Sequence, residues 1–128
     1  MPFLRFAVAT ELTDNQTYDL GGALTTIIAN ELAQNHALTS VWIERVVYRF
    51  RFIGAERQRI AAHLDVNVTA GTNTENQKKA FLAKAMELLR SFFRDRHDAT
   101  YIVVHEVPAT DWGFDWGTQG DREASAQG

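Results

Sequence analysis

Laid over itself at an offset of 61 residues, this chain of 128 repeats its own order of elements, and that repeat limits the possible folds more than any other feature. Thr13-Asp14-Asn15-Gln16 falls over Thr74-Glu75-Asn76-Gln77. Without a gap, Leu38-Thr39-Ser40-Val41-Trp42-Ile43-Glu44-Arg45-Val46 falls over Ala99-Thr100-Tyr101-Ile102-Val103-Val104-His105-Glu106-Val107. Identities are few, but the element types recur. Each half opens with a short β-prone run, residues 2–9 and 63–70, the second alternating with period two. Each run leads into Thr-x-x-Gln. In such a capping box the threonine hydroxyl accepts a free helix N–H, while the glutamine accepts the N–H of the cap itself. Two helices are therefore expected, from about Asp14 to Gln34 and from about Glu75 to Asp95.

Leu20, Leu24, Ile27, Ile28 and Leu32 make one apolar stripe on the first helix; Phe81, Ala85, Leu88, Leu89 and Phe92 make one on the second. Gly21-Gly22 interrupts the first helix, either as a weak turn or to admit close backbone packing. A strand follows each helix, and a helical crossover lets the two strands of a unit lie parallel. The expected fold is α+β: two fused β-α-β units forming a four-stranded mixed sheet with both helices on one face. A single domain, 1–128, would comprise a first unit (1–59), a second (60–116) and a polar tail (117–128). The first unit's exit strand continues in the pattern to Phe52, with Val46, Tyr48, Phe50 and Phe52 on one face and Arg45, Arg49 and Arg51 on the other. Residues 54–59 form the polar connection between units.

Composition narrows the function classes. Hydrophobic residues are 45% and charged residues 23%, as in ordinary globular domains. No cysteine is present, which excludes disulfides, thiolate metal sites and a cysteine nucleophile. A net charge of −3 gives no electrostatic support for nucleic-acid binding. No apolar run approaches the roughly 20 residues of a membrane span, and the start lacks a signal-peptide pattern, so a cytoplasmic location is expected. The four histidines, His36, His63, His97 and His105, show neither His-x-x-x-His spacing nor a clustered carboxylate partner, so no metal is expected. No glycine-rich phosphate loop follows a strand, and Ser40 and Ser91 lack the elbow of a serine nucleophile. No cofactor is expected.

Pro2 offers a chemical opportunity. Once Met1 is removed, it is a secondary amine at the head of an apolar strand. An α-amino group titrates near ~8, and burial lowers the pKa of a cationic amine, toward the range where a general base works at neutral pH. Its bland alternative is a strand-opening proline whose missing N–H costs little.

Proline after methionine, two β-α-β units and the loop Val107-Pro108-Ala109-Thr110-Asp111-Trp112-Gly113-Phe114 together resemble the tautomerase superfamily, whose small members include 4-oxalocrotonate tautomerase. The resemblance covers residues 2 to 120; length and closing loop look most like the malonate semialdehyde decarboxylase and cis-3-chloroacrylic acid dehalogenase groups. It implies the tautomerase/MIF fold, a homotrimer, and Pro2 as general acid or base on a 2-oxo acid or its enol. Decarboxylation, or hydration and dehalogenation, are the alternatives within that superfamily, and a non-catalytic relative is another. The position matching Pro2 in the second unit is His63, so one proline site per chain is expected.

The resemblance also implies arginines that hold the substrate carboxylate by a bidentate fork. Their positions are occupied here by Leu12, Trp42, Gly71 and Asn73, and the decarboxylases' acidic partner aligns near His36. Arg49 and Arg51 are the replacement candidates, ahead of Arg5, which alternates away from Pro2. Trp42, Trp112, Phe114 and Trp116 are candidates to line an apolar pocket, against the alternative of core or interface packing.

Overall fold

The structure, a computed structural model, describes residues 2–9, 11–45, 52–57, 62–94, 100–114 and 117–118. The elements run β1 (Phe3–Val8), α1 (Asp14–Glu31), β2 (Ser40–Arg45), β3 (Phe52–Ile53), β4 (Glu56–Arg57), β5 (Ala62–Thr69), α2 (Glu75–Phe92), β6 (Ile102–Val107), β7 (Gly113–Phe114) and β8 (Gly117–Thr118). Short 3₁₀ turns precede β2 (His36–Leu38) and follow β6 (Ala109–Asp111). The main sheet has the order β2-β1-β5-β6. Within each unit the strands are parallel, and the two units meet antiparallel at β1 and β5, Arg5 opposite Asp65. This is the mixed sheet expected from two fused β-α-β units.

Alternation along the strands sends one set of side chains into the core. Leu4, Phe6 and Val8 of β1 and Leu64, Val66 and Val68 of β5 are fully buried under the helices. The helix stripes meet them through Leu20, Leu24 and Ile28 of α1 and Phe81, Ala85 and Leu89 of α2, with Phe6 stacked on Phe93 at 6.0 Å. Both capping boxes form. Thr13 Oγ1 and Thr74 Oγ1 each accept the backbone N–H three residues on at 3.1 Å, and Gln16 and Gln77 accept the cap N–H at 2.9 Å.

The first helix stops at Glu31, short of the expected Gln34. Ala33 adopts a left-handed φ of 51°, and the Gln34 N–H returns to the Ala29 carbonyl at 3.2 Å. That is a Schellman end with alanine where glycine is usual, so the stop signal is weak in the sequence. Asn73 Nδ2 then donates to the Leu32 carbonyl at 2.7 Å, tying this helix end to the turn before α2. The second helix ends at Phe92, before the expected Asp95.

Gly21-Gly22 is no close-packing device. A Cβ at Gly21 would sit in ordinary contact with Ile43 at 3.7 Å, and at Gly22 it would meet nothing. The two glycines weaken the helix locally without a packing return.

The expected continuation of the first unit's exit strand to Phe52 falls largely outside the described residues. β2 ends at Arg45, and residues 46–51, with Arg49 and Arg51, lie outside the described residues. Phe52 pairs with Arg57 in a hairpin whose turn residues Gly54 and Ala55 have φ of 59° and 64°. Positive φ at both central residues is the turn whose twist suits a two-residue hairpin. Phe52 is 61% exposed. Of the expected tail, only Gly117–Thr118 is described, and there it forms a second hairpin with β7.

Candidate functional site

Pro2 lies buried just before β1, its carbonyl accepting the Ser40 N–H at 3.2 Å and so pinning the head of β1 to the start of β2. The next residue, Phe3, points to the sheet face that carries no helix. There a pocket of about 340 Å³ opens between β1 and the loop after β6, lined by Phe3, Asn67, Val107, Asp111, Trp112 and Gly113. Pro2 is a neighbour of this pocket through Phe3 and is not one of its lining residues.

The loop holds its shape by bonds within itself. The Asp111 N–H donates to the Pro108 carbonyl at 2.8 Å, and Trp112 Nε1 donates to the Val107 carbonyl at 3.2 Å, fixing the half-buried indole beside β6. The Thr110 hydroxyl donates to Asp111 Oδ1 at 3.1 Å. On β5, Asn67 Nδ2 reaches the Phe3 carbonyl at 3.4 Å. Trp42 is 59% exposed on β2 and meets Phe3 edge to face, ring centres 5.8 Å apart. Phe3 thus connects Trp42 to the wall that Trp112 forms. Phe114 contributes backbone to β7, and its side chain lies outside the described residues, as does Trp116.

The positions where the resemblance implies arginines have other occupations here. Leu12 belongs to the core at 6% exposure, and its carbonyl accepts Arg45 Nη1 at 3.2 Å. Asn73 caps α1, Gly71 turns the chain with φ of 81°, and His36 sits in the turn before β2. Arg5 is bound to Glu44 at 2.8 Å across β1 and β2.

A polar row unforeseen in the sequence crosses the same open face. Asp65 of β5 receives His63 on one carboxylate oxygen at 2.9 Å and His105 of β6 on the other at 2.8 Å. The expectation that the histidines lack a carboxylate partner is thereby corrected. His63 and Asp65 share a strand face at period two, and β5–β6 pairing brings in His105 from 40 residues away. Among the described residues no group of three or more His, Asp or Glu side chains is placed to hold a metal ion.

Burial would raise the Asp65 pKa, but hydrogen bonds from His105 and His63, together with their charge, outweigh it and hold the carboxyl below its ordinary 3.8. A folded-state pKa below the unfolded one gives stability that is present above the unfolded pKa and lost as pH falls through the folded one. Asp65→Asn is therefore expected to lower the urea midpoint of unfolding at about pH 5, with the gap closing toward about pH 2. A gap independent of pH over that range would contradict the assignment.

The pocket's other lining residues also escaped the sequence. Phe3 alternates to the face opposite Leu4 and Phe6, and Asn67 stands directly across from it. Only the antiparallel register of β1 and β5 puts them together.

Residues 63–120 match the family model described as Tautomerase enzyme. Among curated proteins none matches the chain. Among solved structures, the chain is similar to R7 fused 4-OT, a wild-type asymmetric trimer, with TM-score 0.84 and 18% identity over 94% of this chain and 98% of that one. It is similar to Pt0534 inactivated by 2-oxo-3-pentynoate, with TM-score 0.84 and 11% identity over 93% and 98%. A macrophage migration inhibitory factor-like protein from Entamoeba histolytica aligns with TM-score 0.77 and 14% identity over 91% and 97%. Residues 63–120 thus match a tautomerase model, within an α+β fold that more than nine-tenths of the chain shares with fused 4-OT and a MIF-like protein.

Proposed function

We propose that this chain is a tautomerase-type enzyme in which Pro2, freed as a secondary amine by loss of Met1, moves a proton between oxygen and carbon of a 2-oxo acid and its enol. The observation that carries the proposal is the burial of Pro2 at the head of β1, one residue from an aromatic-walled pocket. A buried amine gives up its proton more readily than an exposed one. In ketonisation the amine takes the enol hydroxyl proton as the C=O bond forms, and the resulting ammonium delivers a proton to the adjacent carbon. The match of the second unit to the tautomerase model supports this chemistry, as does the inactivation of Pt0534 by a 2-oxo compound.

Trp112, Phe114 and Trp42 are assigned to the substrate's side group, and Arg49 and Arg51 to its carboxylate. No cofactor takes part. The test is ketonisation of phenylenolpyruvate by untagged protein whose mass shows that Met1 is gone, beside Pro2→Ala. Activity in neither would favour a second proposal, a non-catalytic relative, for which the structural duties of Leu12 and Asn73 speak. Activity absent toward the enol but present toward a 3-oxo acid or a haloacrylate would place the chain in a decarboxylase or hydratase branch.

The active assembly is proposed to be a homotrimer. β2 and β6 end the sheet, and such edges are ready to pair with another copy. Fused 4-OT is a trimer. Light scattering is expected to give three chain masses; a monomer at micromolar concentration would overturn this.

A further inference from the structure

We propose that the pocket between Phe3 and the closing loop is a binding site for a cationic amine carried on an aromatic body. The inference goes beyond the reaction at Pro2: the pocket shares its Trp112 wall with the substrate side group assigned above, but Pro2 does not line it. Its volume of about 340 Å³ lies within the range of small-molecule sites. Its walls are Phe3, Trp112 and Val107, and its polar side chains are Asp111 and Asn67.

Those polar groups offer acceptors. The indole N–H of Trp112 is taken by the Val107 carbonyl and the Asp111 N–H by the Pro108 carbonyl. Asn67 directs its amide nitrogen at the Phe3 carbonyl at 3.4 Å, and its Oδ1 is an acceptor. Asp111 Oδ1 accepts from Thr110, and among the described residues no hydrogen bond engages Oδ2. Among the described residues, the lining includes the Asp111 carboxylate and no lysine or arginine. A carboxylate attracts an ammonium and repels a carboxylate at the same spot, and an aromatic face adds cation–π attraction. Size and apolar walls select the aromatic body; Asp111 selects the sign of its charge.

The test uses the full chain and two probes of matched size and opposite charge, 2-phenylethylamine and 3-phenylpropionate. Calorimetric titration at low salt is expected to show the amine binding about tenfold more tightly, the combined effect of a rim ion pair and a cation–π contact. The indole N–H resonance of Trp112, assigned with Trp112→Phe, should shift on amine addition. Asp111→Asn should remove most of the preference while leaving the circular dichroism unchanged. In the wild type, raising salt should weaken the amine and not the neutral 2-phenylethanol, which tests the charge without any substitution. Equal or tighter binding of 3-phenylpropionate, binding of neither probe, or an unchanged preference in Asp111→Asn would overturn the proposal. Amine preference alongside an inert Pro2 would leave this site standing and remove the reaction; Pro2-dependent ketonisation without amine preference would do the reverse.

Discussion

Replacing Pro2 with alanine is expected to lower kcat/KM for ketonisation of phenylenolpyruvate by roughly 10² or more, the low end of what a positioned acid–base group contributes. Alanine keeps an N-terminal amine, so the loss measures what the ring provides. Proline locks φ, and here its carbonyl is held by Ser40 at 3.2 Å, so the nitrogen is fixed from both sides. A primary amine on a freely rotating residue lacks that placement, and misplacement alone can cost on the order of 10²-fold. A second form sharpens the test. Protein that retains Met1 presents Pro2 as a tertiary amide without a basic lone pair, and it should be as inactive as the variant or more so. If the Met1-retaining form ketonises the enol as fast as the processed one, the reaction belongs to another group. The three proteins should give the same circular dichroism spectrum, which separates loss of the base from loss of the fold.

The largest effect on stability is expected from Phe6→Ala, a loss of about 3–5 kcal/mol. Phe6 is fully buried at the middle of β1, between the helices, and stacks on Phe93 at 6.0 Å. Removing the ring deletes apolar burial and leaves a cavity among Leu64, Leu24 and Phe93 that a sheet paired on both sides of β1 cannot collapse to fill. Against a total stability of about 5–15 kcal/mol for such a domain, the variant stands near the limit of folding. Urea denaturation followed by circular dichroism measures the loss. Tyr18→Ala, at a residue 80% exposed on α1, is the control and should change stability by no more than about 0.5 kcal/mol. A loss below about 1 kcal/mol for Phe6→Ala would mean that the core is not packed as described.

The sequence and the tertiary structure divided the work along a physical line. Helix starts at Thr13 and Thr74 were legible because a capping box is written within four residues, and both boxes form. The core face of β5 was legible for the same reason, since its period-two alternation is local. The end of α1 was missed by three residues because Ala33 takes a conformation that the chain usually marks with glycine, and because Asn73, 41 residues from Leu32, stabilises that end.

Of the candidate site, the sequence singled out Pro2 and the closing loop with Trp112. It did not show that Phe3, rather than Pro2, lines the pocket, nor that Asn67 and Asp111 supply its polar groups. It also counted the histidines as unpartnered, although His63 and His105 both hold Asp65. By itself the sequence determined the two β-α-β units, their order and the inward face of β5, because those follow from spacing along the chain. Strand register and the meeting of β5 with β6 and of β1 with the closing loop were decided only by tertiary structure. In the main sheet these contacts join residues 37 or more apart, and their energy exists only once the sheet has closed.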